Sequence, residues 1–153
     1  MYASLSATTI GRAGGSRPEE RPDPRTTVGC AVAATGPSVP ALRSFARTMA
    51  ARWGLGREVD EALALVVSEL AGNVVRHSGS ADLVLTLRIG ADTLTVEVRD
   101  HGQWREPQVK PPAPATLGCG GRGLQLVSAY ATRCTVITTI TGTRVIAELP
   151  LPW

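Results

Sequence analysis

Glu69-Leu70-Ala71-Gly72-Asn73-Val74-Val75-Arg76-His77 closes the most strongly periodic segment of this 153-residue chain. Leu63, Val67, Leu70 and Val74 recur at helical spacing, which predicts an amphipathic helix from Arg57 to His77, stopped by Ser78-Gly79. Glu61, Ser68, Gly72 and Arg76 fall on the opposite side, so Arg76 reads as a surface residue. Glu69, Asn73 and His77 follow one another by four positions and form a polar ridge about 80° from the centre of the apolar stripe. That puts them on the rim of the core, where a carboxylate and an amide one turn apart can share a cleft between helix and sheet. Read from this helix alone, a rim hydrogen bond without further role is the commoner outcome.

Outward from this helix, Pro37 to Trp53 carries Val39, Leu42, Phe45, Ala46, Met49 and Trp53 at helical spacing and is ended by Gly54 and Gly56. Thr27 to Ala33 is expected as a first strand. Leu83 to Ile89 and Thr93 to Asp100 alternate with period two around Gly90-Ala91-Asp92, the signature of a hairpin. Gln103 to Leu117 holds four prolines and should be irregular. A short helix is expected from Gly123 to about Thr132. Cys134 to Ile140 and Thr143 to Leu149, joined through Thr141-Gly142, complete a second hairpin. The order predicts an α/β (α+β) two-layer sandwich, with helices on one face of a mixed, mainly antiparallel sheet.

Residues 1–26 contain Gly11, Gly14, Gly15, Pro18, Pro22 and Pro24 among charges, a composition expected to give a disordered leader. Residues 27–153 then form one domain, since a chain 43% hydrophobic at this length buries one good core. The net charge of +3 does not mark a polyanion binder: beyond residue 26 there are 12 positive and 10 negative residues, with no basic run. Direct nucleic-acid binding is not expected. Cys30, Cys119 and Cys134 are odd in number and lack a C-x-x-C pair, which argues against a disulfide framework or zinc site and for the cytoplasm. No segment reaches the roughly 18 apolar residues of a membrane span.

Two further segments carry chemistry. On the strand ending at Asp100, Leu94, Val96 and Val98 share the face that Asp100 continues, so its carboxylate is expected to point into the core. A buried carboxylate requires a partner; capping the strand end or a turn is the plainer use. Gly118-Cys119-Gly120-Gly121-Arg122-Gly123-Leu124 offers unobstructed backbone N–H groups leading into a helix, a cradle for an anion. It is not a dinucleotide fingerprint, because prolines rather than a strand precede it, and no Gly-Lys-Ser/Thr of a Walker loop occurs.

Taken in order, Glu69 to His77, Asp100-His101-Gly102 and Gly118 to Leu124 resemble the N box and the two glycine boxes of the GHKL ATPases, the superfamily of gyrase, Hsp90, histidine kinases and MutL. The resemblance covers residues 27–149 and implies a Mg-ATP site on the fold expected above. By that resemblance Asn73 is the Mg²⁺ ligand and Glu69 the general base. Asp100 accepts from the adenine amino group, with Gly102 letting the chain turn beside the base. Gly118, Gly120, Gly121, Arg122, Gly123 and Leu124 border the phosphates under a lid from Gln103 to Leu117. Arg122 could equally face solvent, and His77 could cap its helix instead of approaching the phosphates. Thr143, in Gly142-Thr143-Arg144-Val145, is a further candidate for the nucleotide pocket.

Within the superfamily the chain looks like the stand-alone anti-sigma-factor serine/threonine kinases. No transducing domain is expected after the last strand and no phosphoacceptor helix pair before the first. The resemblance implies ATP and Mg²⁺ as cofactors, an anti-anti-sigma-like protein as substrate, and a sigma factor as a second partner. A non-catalytic, nucleotide-responsive binding module is the alternative. Helix faces alone do not decide the oligomeric state, and a homodimer is compatible with them.

Overall fold

The computed structural model describes residues 6–10 as backbone, and residues 26–103 and 122–152. Strands β1 (Ser6–Ile10) and β2 (Thr27–Ala33) lead into helices α1 (Ser38–Arg52) and α2 (Arg57–Asn73) and a π-helical turn, Val74–Ser78. The hairpin of β3 (Asp82–Ile89) and β4 (Thr93–Asp100) follows, then α3 (Arg122–Tyr130) and the hairpin of β5 (Arg133–Thr139) and β6 (Gly142–Pro150).

The six strands lie in the order β1-β2-β3-β4-β6-β5. Every pairing among them is antiparallel, so the parallel component of the expected mixed sheet does not occur among the described strands. The topology explains this. α3 carries the chain across one strand position, so β5 runs parallel to β4, but β6 then turns back into the gap between them. β1 is a strand that the composition of residues 1–26 does not announce; it pairs Ser6–Ile10 with residues 27–31 of β2.

Period-two alternation sends Leu83, Leu85, Leu87 and Ile89 of β3, and Leu94, Val96 and Val98 of β4, into the core beneath the helices. α2 sits centrally, packed on α1, α3 and the sheet. It therefore buries Ala62, Ala64, Val66, Ala71 and Gly72 besides its apolar stripe, which exceeds what an amphipathic stripe alone predicts. Ser68, expected on the outer side, receives a 2.8 Å hydrogen bond from Arg43 Nε of α1. Glu58 and Asp60 in the first turn of α2 complement its dipole. Gly54, at φ 64°, and Gly79, at φ 68°, end the two long helical segments in the left-handed conformation glycine favours. Cys30 lies 1% exposed under α1 and α2, and burial pushes its thiol pKa up.

α-Helical geometry ends at Asn73, four residues before the expected boundary. The wider π turn keeps both Val74 and Ser78 buried while His77 goes to solvent. No helix among the described residues is long and apolar enough to cross a membrane.

Candidate functional site

The helical ridge retains two of its three members. Asn73 is buried and Glu69 half-buried at the end of α2, where the first turn of α3 approaches them. Gly123 makes that approach possible: an added Cβ would run into Glu69 Oε2 and would lie 3.7 Å from Asn73 Oδ1. The positive end of the nine-residue α3 thus meets a carboxylate and an amide oxygen.

Arg76, read from sequence as a surface residue, is exposed, and its side chain also lies back along its own helix. Its guanidinium lies over Gly72, 3.0 Å from where a Cβ of that residue would stand, and Nη2 donates to Asn73 Oδ1 at 3.1 Å. Gly72 inside a helix costs about 1 kcal/mol relative to Ala; the space it leaves is the space this side chain uses. A cation beside the amide suits a site that receives phosphate charge.

Asp100, at the C-terminal end of β4, is 2% exposed. Its Oδ1 accepts from Ser78 Oγ at 2.8 Å and from the Gly102 backbone N–H at 2.8 Å. The carboxylate therefore does cap the turn after β4, and it also ties the π turn to the sheet. Gly102 is required for that tie, because a Cβ there would collide with the carbonyl and hydroxyl oxygens of Ser78. Its close neighbour in the structure is thus Ser78, where the resemblance implied an adenine.

Thr143 stands directly across from Asp100 in the β4–β6 register. It is 2% exposed, and its Oγ1 is buried without a hydrogen-bond partner among the described residues. An orphaned buried hydroxyl is costly unless something else satisfies it. Replacing Thr143 by Val is accordingly expected to leave folding stability unchanged or to raise it by up to about 1 kcal/mol in urea denaturation. If the hydroxyl serves a ligand, the same variant should bind that ligand more weakly.

The remaining candidates are placed as follows. His77 is exposed, off the ridge of Glu69 and Asn73. The Leu124 side chain is 4% exposed and packs in the hydrophobic core, so it does not face a ligand; only its backbone can. Arg122 opens α3. Gly118, Gly120 and Gly121, and residues 104–117 of the expected lid, lie outside the described residues, as does the Arg122 side chain. His101, given no role from sequence, is exposed and has Nδ1 3.1 Å from Asp82 Oδ1. Sequence reasoning missed Arg76 and Ser78. The signal for the first was Gly72, four residues before it; for the second there was none, since a serine before a glycine reads as a helix stop.

A Mg²⁺ ion is compatible with these groups. Asn73 offers one hard neutral oxygen, Oδ1, once Arg76 Nη2 gives up or shares it, and no set of three or more His, Cys, Asp or Glu among the described residues is arranged to hold a metal alone. An ion here would take its remaining ligands from phosphates and water, the habit of Mg²⁺.

Comparison with known proteins now has geometry to rest on. The family model described as the histidine kinase-like ATPase domain matches residues 32–149. A crystal structure of the RsbU and RsbW domains of Rv1364c from Mycobacterium tuberculosis is similar at TM-score 0.65 and 20% identity, over 82% of this chain and 33% of that one. The chain thus spans about a third of that protein's structure. The histidine kinase domain of the blue-light activated histidine kinase EL346 from Erythrobacter litoralis gives TM-score 0.46 and 24% identity, over 78% and 66% of the two chains. No curated protein matches. At 20% identity the Mycobacterium tuberculosis structure speaks for the fold alone, a helical layer on an antiparallel sheet.

Proposed function

The chain belongs to the histidine kinase-like ATPase domain family, and from that premise we propose that it binds Mg-ATP along the seam from Asp100 to Asn73 and phosphorylates a serine or threonine of a small anti-anti-sigma-like protein. The observation that carries this reading is the pair at the ends of β4 and β6: the buried carboxylate of Asp100 beside the buried Thr143 hydroxyl, which has no hydrogen-bond partner among the described residues. Hydrogen bonding to a purine edge would give the Thr143 hydroxyl a partner, and would add one to those Asp100 already has in Ser78 and Gly102.

In this reading Asp100 accepts from the adenine amino group and Thr143 bonds the ring edge. The N–H groups of the first turn of α3 hold phosphate oxygens, with Gly123 allowing close approach. Asn73 holds Mg²⁺, which when bound offsets phosphate charge and aligns the triphosphate. Arg76 adds a second cation beside that amide. Glu69 takes the proton of the partner's hydroxyl as its oxygen bonds to the γ-phosphorus; the bond to the β-phosphate oxygen breaks and ADP leaves. The RsbW domain in the structural neighbour accords with this branch of the superfamily. A sigma factor is then the second partner, held when the first is not.

The test is transfer of labelled γ-phosphate to a small protein recovered with the chain. Label on a Ser or Thr of that protein supports the kinase reading. Tight ATP binding with no transfer to any recovered partner would contradict it and favour a nucleotide-responsive binding module.

A further inference from the structure

The face of the sheet without helices carries a cleft of about 180 Å³ at the β5–β6 turn. Its walls are Arg99, Arg144, Ile137, Thr139 and Thr141, and Gly142 lies at its floor. Asp100 and Thr143, the two groups assigned above to adenine, also border it, so the cleft adjoins the proposed nucleotide site at the ends of β4 and β6.

Charge is arranged unusually here. Arg99 and Arg144 stand directly opposite one another on neighbouring strands, a like-charge pairing that is unfavourable by itself. Glu97 relieves one of them: Arg144 donates from Nε to Oε1 at 3.0 Å and from Nη2 to Oε2 at 2.9 Å. Hydrogen bonding and charge attraction from that carboxylate raise the Arg144 pKa. Arg99 has no ion-pair or hydrogen-bond partner among the described residues. Among the described residues the trio therefore keeps one uncompensated positive charge beside the cleft.

Hydrogen-bond donors converge on the same space. A guanidinium has five N–H donors, so Arg144 retains three after its bidentate pairing. Thr139 Oγ1 can donate to the Gly142 carbonyl at 3.1 Å or to Thr141 Oγ1 at 3.0 Å. In the second arrangement Thr141 turns its own proton to the cleft. The volume corresponds to about six waters of liquid, more than a carboxylate fills and ample for a tetrahedral oxyanion.

We propose that this cleft is a second anion site, taking a phosphate-type oxyanion between Arg99, Arg144 and Thr141 on the face opposite the nucleotide seam. The anion relieves the Arg99–Arg144 opposition and is bound independently of Asn73.

The experiment is a titration of the full chain, followed by amide NMR, with inorganic phosphate, with phosphoserine, and with chloride at matched ionic strength. The expected result is saturable shifts at Arg99, Thr141, Gly142 and Arg144 with both phosphate compounds but not with chloride. They should persist in Asn73→Ala, with affinity about tenfold weaker in Arg99→Gln, as the loss of one charge-assisted bond implies. Tighter binding of phosphoserine identifies a protein-borne phosphoryl group as the source, and equal binding a free anion. Shifts that follow chloride equally, that appear only around Asn73 and α3, or that are unchanged in Arg99→Gln overturn the proposal.

Discussion

Glu69→Ala is expected to lower phosphoryl transfer by about 10²- to 10⁴-fold, the usual effect of losing a general base, while Mg-ATP still binds. The carboxylate is half-buried at the end of α2, one turn before Asn73 and against the first turn of α3. In the proposed reading it belongs to the phosphate end of the site, and not to the groups assigned to adenine. Because Gly123 touches Glu69 Oε2, truncation to Ala also opens space beneath α3. Glu69→Gln keeps that volume and removes only the basicity, so the two variants should be equally slow. Unchanged transfer in Glu69→Gln contradicts the assignment. Loss of ATP binding in both would make Glu69 a residue that docks α3 instead of a base.

Gly142→Ala should destabilise the fold by about 3–5 kcal/mol, combining backbone strain with overpacking. Gly142 has φ 148°, a conformation L side chains rarely adopt, and a Cβ there would collide with the Asp100 carbonyl oxygen. The obstacle is backbone of the adjacent strand, so no side-chain rotation relieves it. A loss of that size is a large part of the roughly 5–15 kcal/mol of a typical domain. Guanidinium denaturation measures it through the midpoint. A change below about 1 kcal/mol would show that the β4–β6 end can open without penalty, and with it the proposed adenine pocket. Gly102→Ala, which meets the Ser78 carbonyl in the same way, should behave similarly.

What could be read from the sequence was what local pattern encodes. Alternation placed the β3–β4 hairpin and the buried face ending at Asp100, and Gly54 and Gly79 marked the helix ends. What could not be read depended on contacts between distant segments. The π turn after Asn73 accompanies a bond between Ser78 and Asp100, 22 residues apart, so extrapolating the α-helical ridge carried His77 too far. Helical phase placed Arg76 at the surface, where it is exposed, but phase gives only the direction of a Cβ and so did not report the bond its guanidinium makes back to Asn73 along its own helix. Leu124 fell within a glycine motif, and burial of its side chain leaves only its backbone to face a ligand. β1 pairs through its backbone, which composition does not report. The charge opposition of Arg99 and Arg144 exists only in the β4–β6 register and is invisible along the chain.

The central claim is that Asp100 and Asn73 hold the two ends of one nucleotide. Calorimetric titration of Mg-ATP into the protein and into Asp100→Asn and Asn73→Ala tests it most directly, with circular dichroism confirming that each variant folds. The account predicts one saturable site, weakened about 10- to 100-fold in each variant, as expected from losing a charge-assisted bond or a metal ligand. Folded variants that bind Mg-ATP as tightly as the parent chain would contradict it.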